Sequence, residues 1–511
     1  MCGIAAYLGP EIPGEGERML ARMNHRGPDD SGEISLPGGW LGHTRLSIVD
    51  LVGGHQPLGG NGGQRWLVGN GEIYNHREVR RSLGNADYQT QSDNEVALRL
   101  IEHRGPDALG ELEGMYAFLS ADTNGGSFIA ARDPVGIKPL YWTPPASPGD
   151  EVRFASEIAA FDPAWRANVV AFPPGHHWTP ERGLQRFSFA VPTGAYGQYW
   201  EVWEAEPSKA DLIATRDVLV DSVHRQMMGD VPVGVFLSGG LDSSLVAAIA
   251  ARWCAERGER LPTFAVGLEG SPDLLAARRA AEFLGTEHHE RTYTDAEALE
   301  VLPQVVRAIE HFDPSLVRSA VPNFLLAEMA SEKVKVVLTG EGADELFAGY
   351  EYFHDEFTDT DQMQQELMAS LNGLHNLNLQ RCDRVTMAHS LEARVPFLDS
   401  EVIEHAMGLP AAWKVASRGM PEKRLLRKAF AGWLPEDLLW RTKAQFGDGS
   451  GAASVLTEAI ESQISEAEFV AEAARVDPPL RTREELAYYR IWSEHLGGVR
   501  PERTLSRFAT A

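Results

Sequence analysis

Cys2 directly follows the initiator methionine. So small a side chain permits removal of Met1, and a cysteine at a free N-terminus carries nucleophile and base in one residue. An α-amine titrates near about 8 and a thiol near about 8.5, so the amine can hold or relay the thiol proton close to neutral pH. The segments NHRGPDDSG, HTRLSIVD, GNGEIYN and SDNEV follow in order within the first 96 residues, and their chemistry is complementary. Arg45 is able to fork onto an α-carboxylate and Asp93 to hold an α-ammonium, the two ends of a free amino acid. Asn70 and the backbone N–H of Gly71 offer two donors to an oxyanion, with Gly71 allowing close backbone approach. Taken alone, NGEIYN also suits a tight turn between strands.

A second constellation lies in the other half of the chain. VGVFLSGGLDSSLVAAIA sets a Gly-rich turn between an apolar strand and a helix, so that backbone N–H groups and a helix N-terminus can face phosphate oxygens. No Lys-Ser or Lys-Thr closes the loop, and GxGxxG is absent, which excludes a Walker A loop and a dinucleotide fingerprint. Asp242 in this loop and Asp344 in LTGEGADELFAGY suit Mg²⁺, which takes one or two carboxylates plus phosphate oxygens. Both loops follow apolar strands, where open parallel sheets bind ligands. Lys423, in MPEKRLLRKAF, reads by itself as a helix-surface lysine. His288 and His289, in GTEHHERT, lack a second ligand pair at metal spacing and are expected in a solvated loop or helix end.

The elements that must hold these residues differ between the halves. Up to about residue 190, short β-like runs broken by Gly and Pro (GIAAYLG, GWLGHTRLSIVD, RWLVGNGEIYN, MYAFLSAD, SFIAARD, VRFASEI) predict an α+β domain of mostly antiparallel strands. DNEVALRLIEHRG is helical, with Val96, Leu98, Leu100 and Ile101 facing a core. Residues 187–207 have neither period and form a connector, which puts the boundary near 200 and the domains at 1–200 and 201–511. Beyond it, VGVFLSG, TFAVGL and VKVVLTG alternate with long helices, an α/β pattern with a parallel sheet covered on both faces. From about 360 the chain is expected to be helical. The 511 residues are 43% hydrophobic with a formal charge of −26, enough for full cores and unsuited to nucleic acid or an anionic membrane. Three cysteines without a CxxC pairing and no basic, apolar leader point to a reducing, cytoplasmic location.

The motifs of the first half, with EGMYAF, ARDPVGIKPLYW and FASEI, resemble the class II glutamine amidotransferase domain, an N-terminal-nucleophile glutaminase. SGGLDSS resembles the pyrophosphate loop of ATP pyrophosphatases, which cleave ATP between the α and β phosphates. With AVGLEGSPDLLAA, SLEARVPFLD and WRTKAQFGDG, nearly the whole chain resembles the glutamine-hydrolysing asparagine synthetases. The resemblance implies stacked antiparallel sheets followed by a helix-rich, ATP-pyrophosphatase-like parallel-sheet domain. It implies that Cys2 attacks the glutamine amide, Asn70 and Gly71 hold the oxyanion, and Arg45, Leu46, Ser47, Ile48, Val49, Glu72 and Asp93 bind glutamine. His25 and Arg26 fall in a family segment near that site and are given no chemical step. ATP would lie against Phe236, Leu237, Ser238, Gly239, Gly240, Asp242, Ser243, Val266, Thr339 and Gly340, with Mg²⁺ on Asp242 and Asp344. Glu341 would take a proton from attacking ammonia, and Lys423 would face the phosphates.

By the same resemblance, ammonia passes inside the protein to a carboxylate activated as an acyl-adenylate, giving glutamate, AMP, pyrophosphate and a new amide. The acceptor pocket includes Ser315, Leu316 and Arg318. The family commonly has two threonines ahead of an isoleucine or valine and that arginine, so Ser315 and Leu316 are a departure. L-Aspartate is the expected acceptor; another carboxylate of a specialised pathway, or ring closure as in β-lactam synthetases, is the alternative. Those cyclising relatives typically lack the glutaminase nucleophile, which this chain keeps. A non-catalytic nutrient-responsive binder would have losses in SGGLDSS or GEGADE, and both are intact. The partners are small molecules, and a homodimer is left open.

Overall fold

A computed structural model describes residues 2–84, 88–124, 126–192, 206–355, 360–415, 421–442, 456–457, 459–460 and 462–508. The apolar run at the start makes β1 (Cys2–Leu8), whose alternation sends Ile4 and Ala6 to one face and Ala5 and Tyr7 to the other, all buried. There follow β2 (Asp30–Leu36), β3 (Gly39–Arg45), β4 (Leu58–Gly59), β5 (Arg65–Ile73), β6 (Gly114–Asp122), β7 (Phe128–Arg132), β8 (Tyr141–Trp142), β9 (Val152–Ala155), β10 (Val170–Ala171), β11 (His176–Thr179) and β12 (Gly183–Arg186). They build two six-stranded antiparallel sheets, ordered β10-β8-β9-β1-β3-β2 and β12-β11-β7-β6-β5-β4. Ile4, Leu41, Val68, Leu119, Phe154 and Trp178 from both sheets share one apolar layer. Trp142 stacks on Phe154 at 5.8 Å between ring centroids, a contact worth about 0.5–1.5 kcal/mol beyond its buried area. On the far face of the second sheet the helix Glu95–Arg104 buries Val96, Leu98, Leu100 and Ile101 against Leu67 and Phe118, as the helical period predicts.

The second half is parallel. β13 (Val233–Phe236), β14 (Pro262–Gly267), β15 (Glu287–Thr292), β16 (Val336–Leu338) and β17 (Glu392–Arg394) form one sheet in the order β15-β14-β13-β16-β17. The helices Leu241–Ala255 and Pro314–Ser331 bury Leu245, Ile249, Val321 and Leu325 in the same cluster as Val235, Phe264 and Leu338. The architecture is therefore the expected one, antiparallel sheets followed by a helix-covered parallel sheet. That cluster also contains Ala5, Tyr7, Met115 and Tyr141, so one continuous apolar core runs from the first sheet into the second half. Among the described residues no helix is long and apolar enough to cross a membrane. The expected boundary near 200, most of the connector 187–207 and most of WRTKAQFGDG lie outside the described residues.

Two local expectations are corrected. His288 and His289 lie in β15 rather than in a loop or helix end: Thr263 pairs with His288 in parallel register, and the charged run fits because β15 is the sheet's edge. The region after 360 is not wholly helical, since Glu392–Arg394 extends the sheet as β17. Asn70–Ile73 closes β5 in register with β6 from Ala117 to Gly114, so the β-like run RWLVGNGEIYN is a strand through Ile73, and the tight turn that NGEIYN alone also suits does not form there.

Candidate functional site

The nucleophile candidate begins β1, opposite Arg45 of β3, and is buried. Its backbone nitrogen donates to Asn70 Oδ1 at 3.0 Å. That bond fixes the amide orientation and leaves Asn70 Nδ2 buried with no partner among the described residues. Gly69 and Ile73 send their N–H groups to the open edge of β5, to Gln56 Oε1 at 2.7 Å and Asp93 Oδ2 at 2.6 Å. Strand alternation puts the Gly71 N–H on that same edge between them, where its carbonyl already accepts Asn94 Nδ2 at 3.0 Å. Gly71 has φ +137°, and a Cβ there would fall 1.9 Å from the Met115 carbonyl oxygen, so only glycine fits. Burial pushes the Cys2 thiol up, opposed by the terminal positive charge and the Leu46 N–H. Such a thiol needs a base to release its proton.

The glutamine-binding candidates surround this point in different ways. Arg45 holds the carbonyls of Val49 at 3.2 Å, Asp50 at 2.7 Å and Leu51 at 3.3 Å, so most of its fork braces the loop after β3. Leu46 and Ile48 are buried in that loop, Val49 is partly buried, and the Ser47 N–H donates to Asp29 Oδ2 at 2.7 Å. Glu72 and Asp93 are both buried. Burial raises both carboxyls, and for Glu72 the neighbouring Asp93 adds to the effect. Glu72 Oε1 lies 3.7 Å from Arg394 Nη2 of β17, and its Oε2 is buried without a partner.

The second site assembles at the C-terminal ends of β14, β13 and β16. Phe236 and Leu237 lead into the turn Ser238–Gly239–Gly240 and the helix Leu241–Ala255, with Val266 on β14 and Thr339–Gly340 after β16. Ser243 Oγ lies 3.0 Å from Ser238 Oγ and donates to the Gly240 carbonyl at 3.2 Å, closing the turn on itself. A Cβ on Gly340 would lie 2.8 Å from Asp242 Cβ, so the two loops pack directly together. Lys423, 1% exposed, bridges them, with Nζ 2.5 Å from Asp242 Oδ2 and 2.6 Å from Asp344 Oδ1. Those two carboxylates hold its ammonium well above the ordinary lysine range, against its burial. Lys423 adopts φ +58°, a left-handed conformation that costs a non-glycine residue about 1–3 kcal/mol and marks functional positions.

The family model for asparagine synthase matches residues 214–360 and 355–498, and that for the glutamine amidotransferase domain matches residues 1–172. A probable glutamine-hydrolysing asparagine synthetase of Schizosaccharomyces pombe is 38% identical, over 96% of this chain and 92% of its own. The Zea mays asparagine synthetase is 38% identical over 97% and 86%, and that of Asparagus officinalis 40% over 88% and 78%. This chain belongs to the glutamine-hydrolysing asparagine synthetase family.

Within this synthetase fold, several site neighbours carry no motif of their own. Glu341 pairs with Arg381 from the helix Asn378–Met387, and Arg381 Nη1 donates to Ser319 Oγ at 2.8 Å. Ser319 lies one turn beyond Ser315 and donates to its carbonyl at 3.0 Å, which joins the acceptor segment to Glu341. Ser315 and Leu316 occupy the first turn of the helix Pro314–Ser331, capped by Asp313 Oδ1 at 3.0 and 3.3 Å, and Leu316 is 1% exposed. Arg318 turns instead to Glu484, with Nε 3.0 Å from Oε1. Glu345 is pushed up to about 7, first by burial and then by Asp344. A run of charges in a helical segment, as in LQRCDR, was the available signal for Arg381. Glu345 lies inside GEGADE but shares that motif with Asp344, to which the metal role goes, and Ser319 has no signal of its own.

Proposed function

We propose that this chain converts a carboxylate to an amide with nitrogen from glutamine and energy from ATP, L-aspartate being the acceptor and L-asparagine the product. The observation that carries the reading is Asn70: its Oδ1 holds the Cys2 nitrogen while its Nδ2 stays buried, unpaired and available. A buried donor without a partner costs about 1–3 kcal/mol, a cost repaid when an oxyanion forms there. With Met1 removed, the freed amine takes the Cys2 proton, the thiolate attacks the glutamine amide, and Asn70 and Gly71 carry the developing charge. The division at 1–200 and 201–511 separates this glutaminase from the synthetase.

In the second half, the ATP phosphates lie on the Ser238–Gly240 turn and the helix behind it. Asp242 and Asp344 are two hard oxygen donors from separate loops, drawn together by one ammonium. That set suits Mg²⁺ only when phosphate oxygens complete the shell. Among the described residues no group of three His, Cys, Asp or Glu forms a metal site by itself, so Asp242 and Asp344 would hold the ion with phosphate oxygens as its other ligands. Bound there, Mg²⁺ would neutralise charge on the pyrophosphate, to which Lys423 adds its ammonium. Glu341, steadied by Arg381, accepts a proton from ammonia as it attacks an acyl-adenylate. Ammonia must cross between the sites without becoming protonated in bulk water, and the continuous apolar core favours a dry passage. Three buried free cysteines suit a reducing cytoplasm.

The test is paired. Cys2→Ala is expected to lose glutamine-dependent synthesis and keep ammonia-dependent synthesis, while Asp344→Asn loses synthesis from either nitrogen source and spares glutamate release. Product analysis should show AMP and pyrophosphate. ADP as the main nucleotide product, or joint loss of both activities in folded Cys2→Ala, overturns the scheme.

A further inference from the structure

Arg26 is 0% exposed and donates from Nε to the carbonyl oxygen of Cys2 at 3.0 Å. Its fork is held from the far side of the molecule: Nη1 lies 2.9 Å from Asp383 Oδ2 and Nη2 lies 3.2 Å from Asp383 Oδ1, a bidentate pair across 357 residues of sequence. Glu157 shares Nη1 at 2.8 Å. Asp383 is 4% exposed, and Lys138 Nζ lies 4.0 Å away. Further contacts from the same stretch of chain surround the nucleophile. Ser390 Oγ donates to the His25 carbonyl at 2.7 Å, and Arg394 approaches Glu72 at 3.7 Å. Arg381, two residues before Asp383 in the helix Asn378–Met387, reaches Glu341. Residues two apart on an α-helix point about 200° apart, so this helix turns one charged side chain toward each site.

Resting on the amidotransferase reading above, the geometry points to Asp383 as a positioning residue for the glutaminase: the synthetase half completes the first site by holding Arg26, and through it the backbone of the nucleophile. Without Asp383 the guanidinium keeps only Glu157, which also serves Arg384 at 2.7 Å, and is free to swing off the Cys2 carbonyl. The N-terminal end of β1, with Cys2, then loses its fixed position relative to Asn70. Displacement of a nucleophile by about 1 Å is enough to cost about a hundredfold in rate. The synthetase chemistry, which uses the opposite face of the helix, keeps its Arg381–Glu341 pair.

The experiment uses the full chain with Asp383→Asn, which preserves shape and removes the charge. Expected is a fall of at least about tenfold in kcat/KM for glutamine with ammonia-dependent synthesis within about twofold of wild type; Asp383→Glu, which keeps the carboxylate, recovers part of the loss. A fall of both activities by the same factor, or unchanged glutamine kinetics, overturns the proposal. Should Asp383→Asn fail to fold, Asp383→Glu carries the same comparison, with the same selective loss expected in smaller measure and equal loss overturning it. A second readout separates this inference from the functional reading. If the wild type releases no glutamate, that reading falls, yet iodoacetamide alkylation of Cys2, followed by mass spectrometry of the N-terminal peptide, still tests the positioning. A change of at least about threefold in the Cys2 rate with Cys254 unaltered supports it, and an unchanged Cys2 rate overturns it.

Discussion

Removing the amide of Asn70 should separate the two chemistries of this chain sharply. In Asn70→Ala two things vanish: the acceptor for the Cys2 nitrogen at 3.0 Å and the unpaired Nδ2. Of the two proposed oxyanion donors only the Gly71 N–H remains. One lost donor of this kind costs about 2.7–4 kcal/mol, or about a hundred- to a thousandfold in kcat. Asn70→Asp is the sharper probe. It keeps the shape and the oxygen that the Cys2 nitrogen uses, but puts an acceptor where the donor was, facing a charge of the same sign. Its loss should equal or exceed that of Asn70→Ala, although its structure is better preserved. Glutamate release from glutamine, at saturating glutamine, reads the first site, and ammonia-dependent amide formation in the same preparation reads the second. The reasoning is refuted if Asn70→Asp keeps glutaminase kcat within about threefold of wild type, or if ammonia-dependent synthesis falls in parallel.

Two further outcomes are expected. Lys414 is 0% exposed, its Nζ has no partner among the described residues, and burial pulls it down to about 7 from the usual 10.5. A depressed lysine destabilises the folded state increasingly as pH falls from the unfolded value through the folded one. Lys414→Met should therefore be more stable than wild type by calorimetric midpoint, with an advantage that shrinks by about 2 kcal/mol between about pH 7 and about pH 9; an advantage independent of pH would refute the burial argument. Leu316→Thr tests the acceptor: with aspartate as substrate the change should be tolerated and lower the aspartate KM, whereas with a larger or less polar acid it should weaken turnover of that acid. Steady-state kinetics on a carboxylate panel decide, and identical kinetics on every acid would show that this segment does not set specificity.

The features legible in the sequence are those written in short stretches of it. SGGLDSS and GEGADE read correctly as loops after apolar strands because strand, turn and helix lie within about a dozen residues of one another, and the helix over DNEVALRLIEHR declared itself by its period. EHHERT misled because its charges are those of a solvated segment, and only the sheet order shows that it is an edge strand. Glu392 and Arg394 were hidden for the opposite reason: both are 0% exposed in β17 and tolerable there because they bond to each other at 2.5 Å. NGEIYN carried a turn signal in Gly71, whose φ of +137° is instead used within a strand. The sequence assigns Arg26 no role, since its partner lies 357 residues away, and no local pattern announces a contact at that separation. Arg45 was legible as a fork, while its engagement with three carbonyls of its own loop was not.

The apolar cluster that holds Tyr7 and Met115 together with Val235 and Leu338 bears on how such a chain can change over time. Two catalysts joined only by a tether could trade halves with other proteins, each half keeping its own shape. Here the inner wall of the amide-hydrolysing half is also the outer wall of its neighbour's interior. A foreign half would have to match the volume and outline of that shared wall residue by residue before any chemistry could be passed across it. The pair is thus bound to drift together, and a substitution at the seam in one half sets the terms for what the other can accept.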